Sequence, residues 1–334
     1  MKLWHRLSAP VLLIGLAAFS PAQHAAAQDI IKIDGSSTVF PIAEAVAEEF
    51  QMARRGQVRV TVGISGTGGG FKRFCRGETD ISNASRPILK EEMQACRAAG
   101  IKYMELPVAF DALTVVVNPR NTWVKSLGIA DLKKMWEPGA QGRIMKWSQV
   151  RSEWPDEPLA LFGPGADSGT FDYFTEAVNG KSKASRGDYT ASEDDNVLVQ
   201  GVESDRNALG YFGYAYYLAH KDKMRAVPID NGTGRNVAPS LETVIDGSYQ
   251  PLSRPLFIYV RESAAQRADV KAFIRFYLTQ GAVLAKEVGY VPLPEQAYKV
   301  ALQQFNAGKL GTVFGGVPEV GVTIESLQAR EGRL

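Results

Sequence analysis

From Ile30 onward, short β-branched and apolar runs alternate with stretches whose apolar positions recur every three or four residues, the periods of strand and helix. IIKID reads as a strand and FPIAEAVAEEF as a helix. VRVTVGI is the next strand, FKRFCRG begins a helix, and EEMQACRAAG is another that Gly100 ends. ALTVVVNP is a strand stopped by Pro119. The middle of the chain repeats this logic: IADLKKMW is helical, PLALFG is a strand, TFDYFTEAVNG is a helix closed by Gly180, and NVLVQGV suits a helical turn. LGYFGYAYYLAH, dense in tyrosine, reads as a buried aromatic element. SRPLFIYV is a strand with proline near its start, and DVKAFIRFYL is again helical. Such alternation predicts an α/β fold.

Two extended stretches, Val116 to Pro119 and Leu252 to Phe257, are the expected crossings between two lobes. On that reading, residues 28–116 and 256–334 form one lobe, residues 117–255 form the other, and a cleft lies at the hinge.

The first residues change the picture of location. Lys2 and Arg6 precede an apolar run from Val11 to Phe19, and Ala25-Ala26-Ala27 follows, the order of a cleavable secretory signal over residues 1–27. The run is too short for a membrane span, which needs roughly 20 residues. No cysteine stands near Ala27 to accept a lipid, so a free periplasmic protein without a membrane anchor is expected. Without Lys2 and Arg6, basic and acidic residues balance, which gives no nucleic-acid surface. Cys75 and Cys96 flank GETDISNASRPI. An oxidising compartment favours a bridge between them over two unpaired thiols, with closure of the loop stabilising by about 3 kcal/mol. No motif sets an oligomeric state, and a monomer is the default.

Three times an apolar strand runs through a Gly/Ser/Thr loop directly into a helix: IIKIDGSSTVFPIAEAV, VTVGISGTGGGFKRF and LALFGPGADSGTFDYF. The first N–H groups of a helix lack internal partners and carry the positive end of the dipole, so a bound oxyanion satisfies them. Ser36, Ser37, Thr38, Ser65, Thr67, Ser168 and Thr170 supply hydroxyls, and the glycines, Gly169 among them, allow close backbone approach. Each loop alone reads equally as an ordinary N-cap or turn. Three of them at the carboxyl ends of strands favour a site for a small tetrahedral anion.

Enzymatic phosphate loops do not fit. Gly163 and Gly165 are followed by Ser168 where a dinucleotide fingerprint needs a third glycine, and the glycine runs lack the P-loop lysine. Thr67 stands where a G-x-S-x-G elbow needs its last glycine. His5 and His24 belong to the signal, leaving His220, too few for a zinc hydrolase or a histidine-based triad. No cofactor or metal is implied, and a secreted phosphohydrolase is the weaker reading. Arg86, after the polar stretch TDISNAS, has the planar fork that suits an oxyanion. Arg186 is a second candidate, with Asp188, Glu193, Asp194 and Asp195 as competing surface partners.

At DGSSTVFPI, GISGTGGGF, DISNASRPI and GPGADSGTFDYF the chain resembles the periplasmic phosphate-binding proteins of the phosphate ABC importer, and the similarity extends from Ile30 to about Tyr298. The resemblance implies the two-lobed type II binding-protein fold, inorganic phosphate as ligand and a membrane permease as partner. It carries phosphate contact onto Ser37, Thr38, Val39 and Phe40, onto Ser65 and Thr67, and onto Ser168, Gly169 and Thr170. Two positions depart from the family pattern. Ser85 stands where members usually have an aspartate, and Pro164 where they have an arginine. The expected replacements are Arg86 for the arginine and Asp167 for the carboxylate. The carboxylate matters because phosphate keeps a proton to donate and sulfate does not, so a buried acceptor repels sulfate. Should no acceptor replace it, another tetrahedral oxyanion such as sulfate or molybdate is the alternative.

Overall fold

The computed structural model describes residues 29–331. The expected signal, residues 1–27, lies outside them. Among the described residues no helix is long and apolar enough to cross a membrane.

Eight strands form one path, in the order Val58–Val62, Asp29–Gly35, Ile81–Ala84, Ser253–Arg261, Tyr103–Val117, Ala208–Gly213, Ala160–Pro164, Thr190–Ser192. The path belongs to two lobes because one long strand serves both. Residues 103–112 of Tyr103–Val117 pair antiparallel with Ser253–Arg261, and residues 113–117 pair with Ala208–Gly213. The strand is longer than ALTVVVNP suggested, and all 15 of its residues are buried, as expected of a strand covered on both faces. Its partner changes at Ala112–Leu113, inside the strand and upstream of the expected Val116 to Pro119. The return crossing leads into Ser253. The two crossings touch, since Leu113 N–H donates to the Leu252 carbonyl at 2.7 Å.

Within each lobe the outer strands are parallel and connected by helices. Helix Phe40–Ala53 covers the first lobe together with Ala268–Glu287, Phe50 meeting Phe273 and Phe276 edge-on at 5.3 and 5.5 Å. In the second lobe the tyrosine-rich segment divides into strand Ala208–Gly213 and helix Tyr214–Ala219. Its Tyr211 is a core residue, stacked on Phe174 at 3.8 Å and edge-on to Trp136 at 4.9 Å.

The glycine-rich run is not a loop ahead of its helix: the helix spans Gly66–Cys75, starting before Phe71. The reason is packing. A Cβ at Gly70 would lie 2.5 Å from Gly35 Cα, so this helix can approach the strand ends only without side chains on that face. At its far end Cys75 is bridged to Cys96 of helix Lys90–Ala98, and the expected disulfide is present.

Candidate functional site

The three strand-to-helix junctions converge where the lobes meet. Ser36, Ser37 and Thr38 leave the end of strand Asp29–Gly35 and are buried. The N–H groups of Thr38 and Val39 find no acceptor among the described residues, the condition that makes a helix start receptive to an anion. The Phe40 N–H, by contrast, turns back to the Ser36 and Ser37 carbonyls at 3.1 and 3.2 Å. From the second junction comes Thr67, whose hydroxyl accepts from Ser85 N–H at 3.1 Å and lies 3.2 Å from the Ser85 hydroxyl. From the other lobe come Ser168, Gly169 and Thr170 at the start of helix Gly169–Asn179. Ser168 caps that helix, accepting from Thr170 N–H at 3.1 Å, which leaves its own proton available to a ligand.

The lobes touch through these residues. Thr38 and Thr170 hydroxyls are 3.0 Å apart. A Cβ at Gly169 would lie 2.5 Å from Thr67 Oγ1 and 2.6 Å from Ser85 Oγ, so glycine is required for this approach. Gly68 N–H donates to the Asp167 carbonyl at 2.7 Å.

At the centre is Arg254, fully buried on the returning strand. Its Nη2 donates to Thr170 Oγ1 at 2.8 Å, to Asp111 Oδ2 at 3.0 Å and to Thr38 Oγ1 at 3.3 Å, and its Nη1 donates to the Gly169 carbonyl at 3.2 Å. Arg254 and Asp111 stand directly opposite each other in the antiparallel register, beside the switch in strand pairing. One guanidinium thus joins loops of both lobes and carries its counter-ion on the hinge strand. Burial pushes the Asp111 carboxyl up, and Arg254 pulls it back.

A second buried carboxylate is less well partnered. Asp195 begins helix Asp195–Ser204 and is fully buried. Burial pushes its pKa up to about 7, with Arg254 and the Ser37 hydroxyl pulling down and Asp111 pushing up. Neither of its oxygens has a hydrogen bond of ordinary geometry, so the Ser37 contact is a loose one. A buried acceptor in this condition is costly without a partner.

Several of the expected contact residues have protein partners of their own. Arg86 is buried but committed: Nε donates to Asp172 at 2.6 Å, and Nη1 and Nη2 each donate to Glu92 at 2.8 Å. Two carboxylates and the Pro87 carbonyl already occupy this fork. Arg186 is likewise engaged, by Asp188 at 2.5 and 2.8 Å and by the Ile144 and Met135 carbonyls at 2.8 and 3.2 Å. Asp167 is not a buried acceptor. Its side chain is 39% exposed and pairs with Lys72 Nζ at 2.7 Å across the cleft rim. The Ser65 hydroxyl donates to Asp34 at 2.9 Å, which leaves it no proton for an anion. Sequence reasoning missed Arg254, Asp111 and Asp195. The first two carry a signal, since each is a charged residue inside an apolar strand run.

Loops from two lobes closing on a buried arginine define a cleft-type binding protein, and residues 20–280 match the family described as PBP superfamily domain. Protein SphX of Synechococcus elongatus is 54% identical over 324 residues, covering 97% of this chain and 95% of SphX. The phosphate-binding protein PstS of Staphylococcus haemolyticus is 42% identical over 275 residues, covering 81% and 84%. Among solved structures, a possible phosphate binding protein from Planctomyces limnophilus has a TM-score of 0.61 at 48% identity, over 84% of this chain and 99% of that one. A putative phosphate ABC transporter substrate-binding protein from Clostridium perfringens, with bound phosphate, has a TM-score of 0.68 at 26% identity, over 80% and 100%. The chain belongs to the PBP superfamily and, within it, to the family of SphX and the phosphate-binding protein PstS.

Proposed function

We propose that the protein captures inorganic phosphate between its lobes, outside the cytoplasmic membrane, and delivers it as a monomer to the permease of an ABC importer. The observation that carries this reading is Arg254, which holds hydroxyl-bearing loops of both lobes around one buried positive charge. Residues 29–112 and 253–331 make one lobe and residues 113–252 the other, following the change of strand partners. The anion takes its hydrogen bonds from Arg254, from the N–H groups of Thr38 and Val39, and from the hydroxyls of Ser37, Thr38, Thr67, Ser85, Ser168 and Thr170, with Gly169 admitting it to the helix start. Chemistry on the ligand has no part in this role.

Asp195 supplies selectivity. Its unpartnered oxygens accept the hydrogen that phosphate retains near neutral pH, whereas sulfate brings only lone pairs and like charge. Calorimetric titration of the phosphate-stripped protein, with phosphate and then sulfate in the same buffer, tests the proposal. One-to-one phosphate binding with negligible sulfate heat is expected. Equal binding of both would place the chain among receptors of broader oxyanion range.

A further inference from the structure

Tyr173 lies three and four residues beyond Thr170 and Gly169 on helix Gly169–Asn179, so all three occupy one helix face. The Arg254 guanidinium lies over its ring, 5.5 Å from the centroid. The buried phenol faces the carbonyls of Pro251 and Ser253 at 2.9 and 2.7 Å, on either side of the return crossing. It also accepts from Gly321 N–H at 3.1 Å. One phenolic proton serves two carbonyls, and one oxygen receives the tail, so the hydroxyl is a junction.

The segment that reaches this junction comes from the first lobe. The Gly316 carbonyl accepts from Lys90 N–H at 3.1 Å. Just upstream, Thr312 Oγ1 and Val313 N–H donate to Glu105 at 2.6 and 3.1 Å, and Phe314 packs edge-on against Phe257 at 5.5 Å. Residues 316–321 therefore span from the first lobe to a tyrosine of the second, a link at the C-terminal end of the chain in addition to the crossings and the contacts across the cleft.

We infer that Tyr173 is a positioning residue for the anion: its ring and hydroxyl hold Arg254 and the return crossing, and through Gly321 the C-terminal segment is joined to the ligand-holding state of the cleft. This rests on the phosphate-receptor reading. A link of this kind couples in both directions, so ligand binding must also firm the tail contact.

The test compares the full-length wild type with Tyr173→Phe and Tyr173→Leu. Phosphate release is followed by stopped flow, and amide exchange over residues 317–323 is measured with and without phosphate. Removing the hydroxyl should speed release about tenfold, and removing the ring about tenfold more. Phosphate should slow exchange at Gly321 in the wild type and not in Tyr173→Phe, a response that mere packing would not give. If Tyr173→Leu does not fold, the Tyr173→Phe release rate and exchange decide. A wild type that binds no phosphate overturns the receptor reading and this inference with it. A wild type that binds, with Tyr173→Phe releasing phosphate at the same rate or Gly321 exchange indifferent to phosphate, overturns this inference alone.

Discussion

Arg86 and Arg254 are both buried and both paired with acids, yet their surroundings differ in kind. Around Arg86 two carboxylates and a backbone carbonyl take up the fork. Around Arg254 one carboxylate shares the fork with two threonine hydroxyls and a carbonyl. The first network is closed and negative in balance. In the second, the charge is matched once and the remaining partners are neutral groups that an anion can replace. A buried arginine is open to a ligand when part of its fork faces neutral groups that the ligand can replace, and structural when two carboxylates take up most of it.

The sharpest way to break this contrast is to remove each arginine in turn. Arg254→Gln should weaken phosphate binding by about a hundredfold to a thousandfold in calorimetry, the effect of truncating a buried hydrogen-bonded charge. Arg86→Gln should instead lower unfolding stability by about 3–5 kcal/mol in denaturant titration, since Glu92 and Asp172 are left unpaired, while the folded fraction still binds. Equal losses of affinity in the two variants would erase the distinction.

The disulfide belongs to the Arg86 side of the molecule, because it ties the helix before that arginine to the helix after it. Reduction of Cys75–Cys96 should cost about 3 kcal/mol in unfolding and leave phosphate affinity unchanged. An affinity loss on reduction would show that the two regions are coupled.

Asp195 tests the other side. Asp195→Asn should narrow the phosphate-over-sulfate affinity ratio by at least about tenfold, read by titration with both ions. Its titration adds a pH signature. Burial raises the folded carboxyl from its ordinary 3.8 to about 7. Between those values the unfolded chain has lost a proton that the folded chain keeps, so ligand-free stability falls as pH rises through this window and levels off above it. Glu105, raised by burial to about 7, contributes the same sign. Melting curves of Asp195→Asn across this range should therefore show a shallower decline, not its disappearance.

The smallest effect is expected at the rim. The Lys72–Asp167 pair is half exposed, and such pairs contribute about 0–1 kcal/mol. Asp167→Ala should change phosphate affinity by less than about fivefold and leave the phosphate-to-sulfate ratio as it was. A collapse of that ratio would restore Asp167 as the selective carboxylate.

Much of the architecture was legible because strand and helix periods are local. So were the three junctions, whose hydroxyls and glycines lie together in sequence. The arginines were not. Arg86 is neutralised by Asp172, which is 86 residues away, and no local pattern announces that partner. Arg254 and Asp111 face each other across 143 residues. Their one visible sign was a charge set inside VAFDALTVVV or SRPLFIYV, where continuous burial demands a partner. Asp195 was hidden differently, in an acidic run that reads as solvated until helix Asp195–Ser204 turns it inward.

The strand Tyr103–Val117 has a mechanical meaning. Because it passes between the lobes without a loop, rotation of one against the other must be absorbed as twist in a continuous β-strand, a deformation strands accommodate readily. The hydrogen bond from Leu113 to Leu252 lashes the second crossing to the first, so the two behave as a single torsion bar. Asp111 is mounted on that bar next to the point of twist, holding Arg254 across from it. With Arg254 in its proposed role the receptor is built like a torsion balance: the arm proposed to grip the anion is fixed to the wire that turns.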